Sequence, residues 1–79
     1  MLKTQNGWIK WDGEEGGTMV RVDSIVAVDF GHPPNKGAWL TIYIGHDEFF
    51  SFEGEHAKAL QEWLWWRFSG AVSNDLDLP

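Results

Sequence analysis

The chain of 79 residues contains no cysteine. Disulfides are therefore excluded, and nothing argues for an oxidising compartment. Positive charge is scarce. Six Lys and Arg stand against twelve Asp and Glu, for a formal net charge of −6. Nucleic-acid binding needs a basic face that displaces counterions, so direct binding is not expected. Anionic membranes are disfavoured for the same reason. No apolar run approaches the roughly 20 residues that span a bilayer. Residues 1–6, Met-Leu-Lys-Thr-Gln-Asn, lack the apolar segment of a secretion signal. A soluble, cytoplasmic protein is the expectation. One domain is all that this length builds, and it buries only about 60% of its unfolded surface. Small domains offset a thin core with disulfides, metals, oligomerisation or large apolar side chains. Without cysteine, aromatic packing and oligomerisation carry that burden.

Aromatic side chains are plentiful. Six residues are tryptophan, and Trp63, Trp65 and Trp66 crowd into one turn of an expected helix. Three in four positions cannot all face one core, so at least one meets a partner, a ligand or water. The helical signal runs from Glu55 to Phe68, with Gly54 at its entry, Arg67 near its negative end and Gly70 as C-terminal cap. At about 100° per residue, Ala57, Leu60, Leu64 and Phe68 form one core stripe. Trp63 and Trp65 fall on its two flanks, and Trp66 points nearly opposite Leu64.

Upstream the pattern is β. Residues 8–11 read as a short strand with Ile9 and Trp11 on one side and Trp8 and Lys10 on the other. Residues 12–17 hold three glycines and three acids and read as a flexible, solvated turn. Residues 18–30 are rich in β-branched side chains and read as two strands joined by a bend at Asp23-Ser24, with Ile25 entering the core after the bend. Residues 31–37, with two prolines and two glycines, form a wide hairpin loop. In residues 38–44, Leu40, Ile42 and Ile44 alternate with Trp39, Thr41 and Tyr43, which marks a half-buried antiparallel strand. Gly45 to Glu48 turn the chain into Phe49-Phe50-Ser51-Phe52.

Chemistry-bearing patterns are sparse. Ser24, Ser51, Ser69 and Ser73 sit in no nucleophile-elbow motif. A Ser51, His56, Asp47 set can be written down, but any small protein offers such a set. His32, His46 and His56 are singly placed, without the paired spacing of metal ligands. The acidic glycine turn lacks the alternating oxygen ligands and flanking helices of a calcium loop. No catalytic residue, metal or cofactor is expected, and the chain does not read as an enzyme.

Val20-Arg21-Val22-Asp23-Ser24-Ile25-Val26-Ala27-Val28, a loop, Leu40-Thr41-Ile42-Tyr43-Ile44-Gly45, a further strand and a helix opening near Glu55 form one continuous pattern. It resembles the small bacterial modules of the flagellar FlbD-like kind and several uncharacterised short families built as β-sheet plus helix. The tryptophan-rich helix and the longer proline loop depart from that pattern. The resemblance implies a compact module without enzymatic chemistry, and no site residues come with it.

The reading is a single α+β domain over residues 1–70, with a small, curved antiparallel sheet of four or five strands and one C-terminal helix. Residues 71–79 are expected to form a mobile tail, with Leu76 and Leu78 able to dock. Val26, Val28, Leu40, Ile42, Ile44, Phe50, Phe52, Leu60 and Leu64 are expected to share one core. The expected function is protein–protein interaction or self-association, with a homodimer favoured. Its interface centres on Trp66, extended by Trp63 and Ala59 and rimmed by Glu62. Two alternatives remain open: an acidic inhibitor that mimics nucleic acid against a basic partner, and a ligand or sugar binder that uses outer aromatics as a platform.

Overall fold

The computed structural model describes residues 1–70 and 74–79. Among the described residues, seven strands form two antiparallel sheets, and one α-helix lies between the sixth strand and the seventh. The α+β class read from the sequence holds, but the strands divide between sheets of four and three rather than forming one sheet of four or five.

The first sheet begins with β1 (Leu2–Gln5) and β2 (Trp8–Gly13). Asn6 and Gly7 join them with φ of 52° and 81°. Two successive positive φ values give the turn whose twist matches a two-residue hairpin, and Asn-Gly is the pair that adopts it most readily. Next, β3 (Gly16–Arg21) pairs with β2 so that Gly13 faces Gly16. The acidic segment 12–17 is therefore mostly strand, with only Glu14 and Glu15 in the turn.

A short 3-10 turn, Val22–Ser24, forms the bend expected at Asp23-Ser24. The Ser24 hydroxyl donates to the Arg21 carbonyl at 2.6 Å. The chain then enters the second sheet, a meander of β4 (Ala27–Gly31), β5 (Trp39–Tyr43) and β6 (Phe49–Glu53). The Val26 amide donates to the Tyr43 carbonyl at 2.8 Å, and Tyr43 is also the ladder partner of Ala27. Two residues thus oppose one, which is a β-bulge. The bulge breaks the expected alternation. Ile25 packs against the core, and Val26, expected inside, is 70% exposed.

Helix α1 (Gly54–Phe68) packs against β5 and β6. The core joins Leu2, Ile9, Val20 and Val22 from the first half of the chain to Leu40, Ile42, Phe52, Ala57, Leu60, Trp63 and Leu64. Val28, Ile44 and Phe50 are half-buried against it. Trp11 ties the sheets together, its ring meeting Phe50 and Phe52 edge-to-face at 5.1 and 4.8 Å. Such contacts add to area burial and fix ring orientation. The sheet-facing stripe of α1 ends at Leu64. Phe68, one turn later and expected inside, stands clear of the sheet at 69% exposure.

Of the tail expected over 71–79, residues 71–73 lie outside the described residues. The remainder includes β7 (Asp77–Leu78), which pairs antiparallel with β1. Leu76 and Leu78 pack against the core. The His56 ring donates from Nε2 to the Pro79 backbone oxygen at 2.8 Å, tying the segment to the first turn of α1.

On the outer face of the second sheet, Trp39 lies across its register partner Gly31. A Cβ at Gly31 would sit 2.6 Å from Nε1, 2.8 Å from Cε2 and 3.0 Å from Cζ2 of the indole. Gly31→Ala is therefore expected to lift the ring from the sheet and cost about 1–3 kcal/mol, the range for overpacking. Urea denaturation measures the cost, and an unchanged midpoint would mean that the ring moves aside freely.

Candidate interaction surface

The four residues expected to form an interface separate in the structure. Trp66 is 48% exposed, and Glu62 is exposed beside it on the helix. Trp63 is only 2% exposed and belongs to the core. It does not extend an outer patch, which corrects its assignment as an interface residue. The reason lies outside the helix: Ala59, Glu62 and Trp63 line one depression together with Asn74 and Leu76. The chain's own C-terminal segment covers the flank that a helical projection leaves open. The Arg67 guanidinium lies 5.2 Å from the centre of the Trp63 ring, a cation–π arrangement. The Trp63 Nε1 is buried without a hydrogen-bond partner among the described residues.

An exposed aromatic surface lies around the other side of α1, apart from the exposed Trp8, Trp39 and Phe49 on the sheets. Trp65 is 62% exposed, and Phe68 follows on the same flank one turn later. Across from them, Phe30 on β4 is 46% exposed. Phe30, His32, Lys58, Gln61, Glu62 and Trp65 line a groove of about 520 Å³ between β4 and α1. It is open because β4 is an edge strand, paired only with β5. Phe30 shares the face of Val28 on β4 and is not among the candidate residues read from the sequence. Its signal was an apolar residue on a strand that ends a meander, where no neighbour covers it.

Polar chemistry is modest. The Tyr43 hydroxyl donates to Asp29 Oδ2 at 2.9 Å, and Thr41 and Ser51 share a hydrogen bond of 2.9 Å. The bond to the Asp29 carboxylate, with smaller contributions from desolvation and the carboxylate's charge, raises the Tyr43 pKa above its ordinary value. Ser51 and His56 are each engaged elsewhere, with Thr41 and with the Pro79 oxygen, and no hydrogen bond joins them. Among the described residues no group of three or more His, Cys, Asp or Glu is placed to hold a metal ion. No helix among them is long and apolar enough to cross a membrane. Five of the acids occupy separate turns, Glu14 and Glu15 between β2 and β3, Asp47 and Glu48 between β5 and β6, and Asp23 in the 3-10 turn, 3.7 Å from Arg21, while Asp12, Asp29 and Glu53 lie on strands and Glu55 and Glu62 on α1.

No family model, curated protein or solved structure matches the chain.

Proposed function

We propose that the chain is a small non-enzymatic interaction module that self-associates through the aromatic side of α1. The observation that carries this reading is the exposure of Trp65, Trp66 and Phe68 on one helix, with Phe30 beside them across an open groove. Large exposed apolar patches are uncommon on monomers, and interface cores are enriched in aromatic residues. Lys58, Gln61 and Glu62 supply a polar rim of the kind that surrounds a binding hot spot. The non-enzymatic character implied by the resemblance to FlbD-like modules fits the same reading.

Light scattering across a concentration series is the test. The wild-type chain is expected to dimerise in the micromolar range. Trp65→Ala is expected to weaken dimerisation by about 30-fold or more, the equivalent of a hot-spot loss near 2 kcal/mol. Trp66→Ala is expected to weaken it less, since Trp66 does not line the groove. Both variants should keep the wild-type circular dichroism. A wild-type monomer at every concentration would overturn the reading, as would unchanged association in both variants.

A further inference from the structure

We infer that the partner is a second copy of this chain joined edge to edge through β4, with a two-fold axis at Phe30, so that two three-stranded sheets become one of six strands. This rests on the self-association proposed above and specifies how it is made. Sheet edges invite pairing unless charge, proline or brevity blunts them. Each of the other edges carries a charge at its end or is short. The first sheet ends in β3, with Gly16, Gly17 and Arg21, and in β7, which has two residues. At the far edge of the second sheet, β6 is flanked by Glu48 and ends at Glu53. The single charge of β4 is Asp29, whose carboxylate is turned back over the sheet to accept from Tyr43.

The register follows from where the β4 edge is usable. At one end lies the bulge at Val26-Ala27. At the other stands Pro33, which has no N–H for a ladder. Residues 28–32 lie between, and Phe30 is their midpoint. An antiparallel two-fold pair is longest when its axis passes through that midpoint. Phe30 then faces Phe30 of the second copy, Val28 faces His32, and Asp29 faces Gly31. An axis at Asp29 would set two carboxylates directly opposite, which is destabilising. An axis at Val28 would press Phe30 of the second copy against the bulge.

An axis perpendicular to the sheet keeps both helices on the same face, so the two grooves meet. Trp65 and Phe30 of both copies then close over one another. Lys58 and Glu62 lie one turn apart on this flank, and antiparallel helices offer each charge its opposite. Phe30, Trp65 and Phe68 expose roughly 350 Å² of aromatic surface per chain, taking about 200 Å² for each full ring. That is nearly half of the roughly 800 Å² per partner in a standard interface, before rim and backbone are added.

The lack of cysteine makes the test clean. Val28→Cys and His32→Cys are prepared as separate single variants, checked for wild-type circular dichroism, and oxidised alone and mixed. Facing residues in an antiparallel pair have Cα atoms about 4.5–5.5 Å apart, within disulfide reach. Two copies of position 28, or two of position 32, are displaced by four residues, roughly 13 Å, and cannot bridge. The expected result is a disulfide dimer in the mixture, approaching the statistical share of mixed pairs, and none in either variant alone. A wild-type chain that stays monomeric in light scattering removes self-association and this inference together. A dimer without the mixed cross-link overturns the β4 pairing and leaves self-association standing. Should a variant fold poorly, wild-type dimers of mixed isotope labelling give the answer. Contacts between the Val28 methyls of one copy and the His32 ring of the other support the pairing, and their absence overturns it.

Discussion

Trp63→Ala is expected to remove a large part of the protein's folding stability, about 3–5 kcal/mol. The indole is 2% exposed and packs with Leu60, Leu64 and the Leu76 segment around one core. Removing a buried tryptophan costs about 3–5 kcal/mol through lost transfer energy and the cavity left behind. A chain of this size holds roughly 4–12 kcal/mol in total, at about 0.05–0.15 kcal/mol per residue. The Arg67 stem and guanidinium would also lose the ring beneath them. One effect opposes the loss. The Nε1 donor is buried without a partner among the described residues, and an unpaired buried donor costs about 1–3 kcal/mol. Trp63→Phe separates the two effects, because it keeps most of the ring and deletes the donor. Urea denaturation followed by circular dichroism should show a large loss for alanine and a much smaller one for phenylalanine. An alanine variant within about 0.5 kcal/mol of wild type, the range of surface substitutions, would place Trp63 outside the core.

The contrast between Trp63 and its neighbours shows where a helical projection stops being informative. The projection gave correct angles: Leu60 and Leu64 are buried against the sheet, Trp65 lies on a flank and Trp66 is exposed. It is blind to what lies over each angle. The flank bearing Trp63 is covered by Asn74 and Leu76, and nothing in residues 55–68 foretells that. Phe68 failed in the opposite sense. Its angle matched the core stripe, but no strand lies beneath the last turn, so it is 69% exposed.

The β region was legible wherever alternation was uninterrupted. Leu40 and Ile42 are fully buried while Trp39 is 41% exposed, as the period of two requires. The bend at Asp23-Ser24 and the loop at 31–37 fell where turn residues cluster. Alternation failed at Val26 because one bulged residue reverses every side chain before it. At the N-terminus the signal was present but unread. Asn6-Gly7 sits between Leu2 and Thr4 on one side and Ile9 and Trp11 on the other, the mark of a two-residue hairpin. In the candidate surface, Trp66 was visible as a residue without a core to enter, while Trp65 was legible only as a flank of the core stripe. The groove was not, because it needs β4 beside α1, and their pairing is absent from local pattern.

Thr4→Val should release the C-terminal segment and cost about 1–3 kcal/mol. Thr4 is fully buried, the one polar side chain in the core among the described residues. It is also the anchor of the last strand. Its Oγ1 accepts the Leu76 amide at 2.6 Å, while its own amide donates to the Leu76 carbonyl at 2.9 Å. Leu2 and Lys3 continue that pairing with Leu78 and Asp77. A two-residue strand has little cooperativity of its own, so these two bonds at Leu76 fix its register. Valine keeps the shape of threonine and its β propensity. It removes the acceptor alone and leaves the part-buried Leu76 amide without its partner, which brings the desolvation cost of about 1–3 kcal/mol. The consequence reaches the helix, because Leu76 lines the depression that holds Trp63 and Ala59. Loosening of residues 74–79 should therefore expose the Trp63 flank. Hydrogen exchange by mass spectrometry checks this directly. In Thr4→Val the C-terminal segment should exchange faster than in wild type, while β5 and β6 keep their protection. Protection of Leu76 equal to wild type would show that backbone pairing with β1 holds the segment without the threonine hydroxyl.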